Sequence, residues 1–168
     1  PLHADPPAPA ADDDTGQEIA EQSEVEKKLG IKLAKRQSKH FRLETYLDQK
    51  AAAEAIGLAE KTYKELHELF AYPASPPVFS GKKATMLQFK DNKAHTNWLK
   101  ELSGYPADQI SRYQPVGATH NNVEVRWEAW QGQNSKDWYK DTAVHHTAHL
   151  MINLMAGIAP PKLRGWTY

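Results

Sequence analysis

The segment AVHHTAHLMINLMAG, residues 143–157, constrains the fold of this chain more than any other feature. Apolar residues recur in it at steps of three and four, which is the period of a helix with one buried face. The predicted core stripe is Val144, Ala148, Met151 and Met155. A cap at Ser135 or Asp137 and a stop at Gly157 predict the helix ends. Such a helix needs a surface to pack against, so the segment predicts a packed core.

Three histidines, His145, His146 and His149, interrupt this apolar helix. At about 100° per residue they share one sector of the helix, roughly a quarter of its circumference wide, beside the predicted core stripe. Two histidines four residues apart can bring both ring nitrogens within the 2.0–2.1 Å or so that zinc requires. A hydrogen-bonded pair at the edge of the core has the same spacing. The spacing therefore leaves a metal site and a structural pair both open.

Upstream of this helix, strand and helix patterns alternate. HFRLETY, residues 40–46, alternates as a half-buried strand does, and a long amphipathic helix over residues 47–71 follows it. KATMLQFK, residues 83–90, predicts a second strand, and Asp91 caps a short helix after it. Residues 105–121 read as an irregular connection. VEVRWEAW, residues 123–130, then predicts a strand with Val123, Val125, Trp127 and Ala129 on one face and a solvated opposite face.

Composition excludes several function classes. The 168 residues include no cysteine, so disulfides, zinc–thiolate clusters and cysteine nucleophiles are ruled out and a bound metal must use nitrogen and oxygen ligands. No apolar run is long enough to span a membrane. No glycine-rich nucleotide loop and no serine elbow occurs. Lysines and arginines are mostly scattered, without a stacking motif, and we expect no nucleic acid partner.

The N-terminal region differs in composition from the rest. Residues 1–26 hold eight acidic residues and no lysine or arginine, whereas the remainder carries 21 basic against 13 acidic residues. We expect residues 1–37 to be a disordered Pro/Ala/Asp-rich acidic tail with a basic linker, and residues 38–168 to be the folded domain. This composition fits a spacer after a removed export signal or lipid anchor, which predicts an extracytoplasmic location with any peripheral membrane association made through the tail. It also fits an inter-domain linker.

The order of elements and the His-x-x-x-His helix over residues 38–168 resemble the core of the gluzincin zinc metallopeptidases, of the peptidase-MA and collagenase-like groups. The resemblance implies an α+β fold: a zincin-like N-terminal subdomain with a small mixed sheet of three to four strands packed on two to three helices. It implies that His145 and His149 match the two zinc ligands of the H-E-x-x-H motif, and that His146 stands where the family has its glutamate.

That departure bears on catalysis, because the family's glutamate takes a proton from zinc-bound water. The family's third ligand is usually a glutamate downstream of the motif, approached by a segment like LRGWTY, residues 163–168, and no acidic residue follows His149 in this sequence. A third ligand would have to be His146, His120, His95, water or a group from elsewhere. We therefore expect no catalytic residues, and no cofactor unless zinc binds at His145 and His149, with His146 as a further ligand.

The resemblance also implies that VEVRWEAW is the strand at the upper edge of the site, where the family pairs with extended substrates. Val123, Val125 and Trp127 are therefore predicted to bind a peptide or protein partner; a covered edge is the alternative. The first hypothesis is a non-catalytic peptidase-like binding or scaffolding domain, a subunit of a larger complex. The second is a zinc metallopeptidase or zinc-binding domain with its third ligand beyond this chain. The third is an unrelated α+β binding domain with a structural or pH-responsive histidine cluster.

Overall fold

The computed structural model describes residues 14–72, 77–115, 117–131 and 137–156. Within them the chain is a mixed α/β fold with one six-stranded sheet and five helices. The strands are β1 (Gln17–Glu18), β2 (Ala34–Gln37), β3 (Phe41–Thr45), β4 (Ala84–Phe89), β5 (Ala118–Asn121) and β6 (Arg126–Trp130). The helices are α1 (Glu24–Leu29), α2 (Gln49–Leu69), α3 (Asn92–Glu101), α4 (Ala107–Tyr113) and α5 (Trp138–Met155).

The strands lie in the order β1-β2-β3-β4-β6-β5. The three central strands β3, β4 and β6 are parallel, and the pairs β1–β2, β2–β3 and β5–β6 are antiparallel. Parallel neighbours need a crossover, which α2 provides between β3 and β4. The outer strands of the described sheet are therefore β1 and β5.

The larger core lies between the sheet and helices α2 and α5. Small residues of α2 make close packing possible here, because Ala52, Ala55 and Ala59 are fully buried. From α5, Leu150 and Met151 reach the same core. Asp48 begins α2 by accepting a hydrogen bond from the backbone N–H of Ala51 at 2.8 Å. This face holds α5, and with it the histidines, directly against the sheet.

The opposite face of the sheet is covered by α1, α3 and α4. Leu87 and Phe89 of β4 point to this side and pack with Trp98 and Leu99 of α3, whereas Met86 of the same strand belongs to the other core. A central parallel strand buried on both faces explains why ATMLQF reads as a nearly continuous apolar run. The predicted cap of α3 is confirmed, since Asp91 accepts a hydrogen bond from Ala94 N–H at 2.8 Å.

The prediction that order begins only after residue 37 is wrong for residues 17–37. These residues form β1, α1 and β2, and β2 joins the same sheet as β3. The physical reason is a capping box that composition conceals: Ser23 and Glu26 cap α1 reciprocally, and Glu26 also forms a buried ion pair with Lys35. The predicted disorder of residues 1–13 lies outside the described residues.

The predicted strand 123–130 is shorter than expected and lies in the interior. Val123 is 80% exposed in the turn before β6, and Val125, also outside β6, has a φ of 54°. Trp127 is fully buried, and β6 pairs with β4 on one side and β5 on the other. The edge position expected for this segment is therefore wrong. The expected solvated face is wrong as well, because Glu128 on that face is 0% exposed.

The sheet also has more strands than the three to four predicted. β5 falls in the segment read as an irregular connection, since four residues with a threonine and a histidine show too little alternation to mark a strand. Among the described helices, none combines the length and the apolar character needed to cross a membrane. The predicted C-terminal segment LRGWTY and the stop at Gly157 lie outside the described residues.

Candidate histidine site

The α5 helix is rotated about its axis relative to the prediction. Its buried residues are Thr142, Ala143, Thr147, Leu150 and Met151. Val144 is 40% exposed, so it does not belong to the core stripe. The rotation turns the His146 side of the helix toward the sheet. The predicted histidine sector thus runs from the core margin at His146 to the exposed side at His145.

Contacts at its N-terminal turn hold α5 in this orientation. The amide of Gln88, buried in β4, donates to the backbone carbonyl of Tyr139 at 3.1 Å. The hydroxyl of Tyr139 donates to Glu54 of α2 at 2.6 Å, and Lys140 pairs with the same carboxylate at 3.2 Å. Because these contacts join α5 to both β4 and α2, the helix presents its histidines from a fixed position.

The structure brings a fourth histidine, His120 of β5, to the three on α5. The Nε2 atom of His120 lies 3.2 Å from Nδ1 of His146, within hydrogen-bond distance. Its ring centroid is 5.6 Å from that of His149, and the rings of His145 and His149 are 4.5 Å apart. We define these four residues as the histidine cluster. Of the suggested third ligands, His120 and His146 belong to it.

The other suggested ligand, His95, lies on the opposite face of the sheet. Its ring is fully buried between Phe89 and Trp98, at centroid distances of 5.7 and 6.2 Å. Burial lowers the pKa of His95 to about 4, so it is neutral near pH 7. His95 is therefore a core residue in this fold.

Burial also keeps the inner members of the histidine cluster neutral. It lowers the pKa of His146 to about 2 and that of His120 to about 4, and in both cases the charge that neighbouring imidazoles would carry lowers it further. Burial and the neighbouring His145 lower the pKa of His149 in the same direction. Near pH 7 these rings therefore have a lone pair available for a metal or a hydrogen-bond donor.

His145 and His149 line a cavity of about 450 Å³ on the outer side of α5. Asp141, one turn before His145, lines it too, and Val144, Ala148 and Ile152 complete its apolar wall. His146 is absent from this lining, and its ring instead lies 5.5 Å from that of the buried Trp127. His146, which the resemblance matches to the glutamate of the H-E-x-x-H motif, thus turns toward the sheet and away from the cavity.

The donor set does not fit the catalytic zinc centre that the gluzincin resemblance implies. Among the described residues, no group of three or more His, Asp or Glu side chains is arranged, as the side chains stand, to hold a metal ion. At His146, where the resemblance implies a glutamate, the side chain is an imidazole that packs on Trp127. What the arrangement offers is two pairs of imidazoles, His145 with His149 and His120 with His146.

The sequence indicates His120 only as one of several alternative ligands, and the reason is geometric. Its neighbours in the chain do not form a recognisable strand pattern, and its approach to α5 depends on β5 pairing with β6. Of the predicted binding residues, Val123 lies in a turn, Val125 just before β6, and Trp127 in the core. The structure does not bring these three together on one surface.

Comparisons of the chain with protein-family models, with curated proteins and with solved structures returned no match.

Proposed function

We propose that this chain is a non-catalytic, peptidase-like binding domain that holds an extended peptide segment of a protein partner along β5. The observation that carries the proposal is the position of β5. It is an outer strand that pairs only with β6 among the described residues, and it lies beside the histidine cluster. An outer strand presents backbone N–H and C=O groups to which a further strand can be added.

The register of β5 and β6 identifies the groups that would bind. The backbone N–H of Trp130 donates to the carbonyl of Gly117 at 3.0 Å, so Gly117 faces β6 with its backbone groups. In an antiparallel pair this alternates along the strand, and Thr119 and Asn121 therefore also bond to β6. The backbone groups of Ala118 and His120 therefore point away from β6. A peptide added as a further strand would bond to these two residues, and alternate side chains of the peptide would face α5 and its histidines.

The absence of a base supports a binding role over hydrolysis. A zinc peptidase of the gluzincin type needs a carboxylate beside the metal-bound water. In this chain the residue at that position is His146, which packs on Trp127. Asp141 is the acidic residue that lines the cavity with His145 and His149, and it precedes them on the same helix. The described residues therefore offer histidines without the carboxylate base.

A proline substitution in β5 tests the proposal. Ala118→Pro removes an outward N–H that strand addition would use and leaves the bonds to β6 in place. The control, Ala118→Ser, keeps that N–H and nearly the same size. The probes are peptides selected for binding to wild type from a random library displayed on phage. They should bind the Ser variant with the wild-type affinity. They should bind the Pro variant with an affinity lower by about tenfold or more, because one or two backbone hydrogen bonds are lost. Equal binding by both variants would exclude β5 as the binding edge.

A second candidate is a zinc-dependent metallopeptidase whose third ligand comes from outside the described residues. The observation that favours it is that His145 and His149 face the same cavity with their rings 4.5 Å apart. The test is peptide hydrolysis by the full chain with zinc, with and without a chelator, in wild type and His146→Glu. Chelator-sensitive hydrolysis by wild type would replace the binding proposal. Hydrolysis by His146→Glu alone would mean that a peptidase scaffold has lost only its base.

A further inference from the structure

One contact at hydrogen-bond distance within the histidine cluster joins two different elements of the fold. His120 comes from β5 and His146 from α5, and the facing ring nitrogens are 3.2 Å apart. The pair that the sequence singles out, His145 and His149, lies on one helix and faces the outer cavity. The tertiary structure therefore creates an imidazole pair that the H-x-x-x-H spacing does not describe.

The separation of the two nitrogens matches what a tetrahedral metal requires. Two ligands bound to zinc at 2.0–2.1 Å with tetrahedral angles stand about 3.4 Å apart. The 3.2 Å between His120 Nε2 and His146 Nδ1 is close to this value. Without a metal the same distance suits one N–H···N hydrogen bond. Either ring nitrogen of a neutral imidazole can bind a metal, so both uses of the pair are chemically open.

We propose that His120 and His146 bind one divalent transition-metal ion of the zinc, nickel and copper class, with His149 as the third ligand. The site would consist of imidazoles alone and would tie the outer strand β5 to α5. Imidazole ligands suit these metals, whereas magnesium and calcium prefer oxygen. Each neutral ring keeps one proton on its other nitrogen, so binding near pH 7 releases no proton overall.

The third ligand has to move, because no three side chains converge as they stand. The ring centroid of His149 is 5.6 Å from that of His120, and His149 is only half-buried beside a cavity. Because one side of the His149 ring borders the cavity, the ring is not enclosed by packing on all sides and can rotate toward the pair. His145 is exposed and stands next to His149, and it is not needed for the site. The inference does not depend on peptide binding along β5.

Zinc titration of the full chain by calorimetry near pH 7.5 tests the site. His120→Gln and His146→Gln should each weaken zinc binding about tenfold or more, since even outer-shell changes at metal sites cost this much. His145→Gln should change the affinity far less. The matched control is His67→Gln on α2, whose ring packs against Tyr63 and Tyr72. Circular dichroism checks that each variant is folded.

A second measurement needs no variant. Copper(II) bound to wild type should show coupling to at least three nitrogens in its electron paramagnetic resonance spectrum. Zinc should also raise the melting temperature in a concentration-dependent way, because it binds the folded chain.

Absence of zinc and copper binding would overturn the inference. So would binding that is lost in His145→Gln and retained in His120→Gln, since the site would then be the helical pair. Peptide binding measured with a chelator present separates this failure from failure of the proposed function.

Discussion

On the face of the sheet covered by α1, α3 and α4, the buried carboxylate of Glu128 is held by several hydrogen bonds, whereas on the face covered by α2 and α5 four histidines gather at the margin beside a cavity. Glu128 shows the first arrangement: it accepts hydrogen bonds from Thr119, from Tyr105 at 3.2 Å and from Arg126 at 3.2 Å. The guanidinium of Arg126 also lies 4.8 Å from the centre of the Trp98 ring.

The polar groups of the two faces differ in role. Some stabilise the fold through hydrogen bonds, and others keep a lone pair that can bind a ligand. Burial raises the pKa of Glu128 despite the opposing effect of Arg126. The charged form of this carboxylate therefore relies on Arg126 and on its hydrogen bonds to offset part of the cost of burial. His145 and His149 reach a cavity, and within the part of the chain that the structure describes their ring contacts are with each other, with His146 and with His120. A group with satisfied bonds has no capacity for a ligand, and a group with an unused lone pair does. Chemistry is therefore expected at the histidine cluster, where a ligand can reach the rings from the cavity, and not at His95, whose unpartnered ring is fully buried.

The largest effect should come from breaking the matched network. Glu128→Ala removes the buried carboxylate that Thr119, Tyr105 and Arg126 share and leaves Arg126 paired only with the exposed Glu124 among carboxylates of the described residues, and we expect the free energy of unfolding to fall by about 3–5 kcal/mol. Urea denaturation measures it. Glu65→Ala is the control, because Glu65 forms an exposed pair with Lys61 on α2 and should cost less than about 1 kcal/mol. A loss below 1 kcal/mol for Glu128→Ala would mean that this network does not stabilise the fold.

Substitutions at two nearby positions on α5 should differ in their effect on the free energy of unfolding, because one side chain is buried and the other is exposed. Leu150 is fully buried, so Leu150→Ala should lower the free energy of unfolding by about 2–5 kcal/mol through lost burial and the cavity left behind. Ile152 is 41% exposed, and Ile152→Ala should cost less than about 1 kcal/mol. Urea denaturation of both variants provides the comparison. Equal losses would contradict the helix rotation described above.

His95 should make the well-packed face sensitive to acid. Its ring nitrogens have no hydrogen-bond partner within the described residues, and its pKa falls from 6.5 to about 4 on burial. As pH falls below 6.5 the unfolded chain takes up the proton first, so stability is lost between pH 6.5 and about 4. At pH 5.5 this loss is about 1.4 kcal/mol.

The variant His95→Leu lacks this titration. Its free energy of unfolding should therefore drop by about 1.4 kcal/mol less than that of wild type between pH 7.5 and 5.5. Chemical denaturation at the two pH values measures the difference, and the contributions of all other groups cancel in it. Equal drops in the two proteins would show that His95 is not held neutral by the fold.

The smallest effect is expected at the exposed end of the histidine cluster. His145 is exposed, so His145→Ala should change the free energy of unfolding by no more than about 0.5 kcal/mol in the absence of metal. Thermal denaturation with a chelator present measures this. A clearly larger loss would assign His145 a structural role and weaken the contrast between the two faces.

Elements with a long or regular pattern were predictable from the sequence. The alternation in HFRLETY, the apolar run in ATMLQF and the three- and four-residue steps of α2 and α5 identify β3, β4 and both long helices, because each pattern is local. The short elements β1, β2, α1, α4 and β5 were missed. Their two to seven residues are too few for a period, and long-range pairing, capping and, for α4, packing of Ile110 and Tyr113 stabilise them.

The sequence by itself determined that three imidazoles project from one sector of α5, because helical geometry sets their angular spacing whatever surrounds them. Only the tertiary structure decided which of them meets a partner. Strand order placed β5 at the edge and β6 inside, and this brought His120 to His146 across 26 residues of chain. Strand order depends on contacts between distant residues, and no local pattern in a single sequence encodes such contacts.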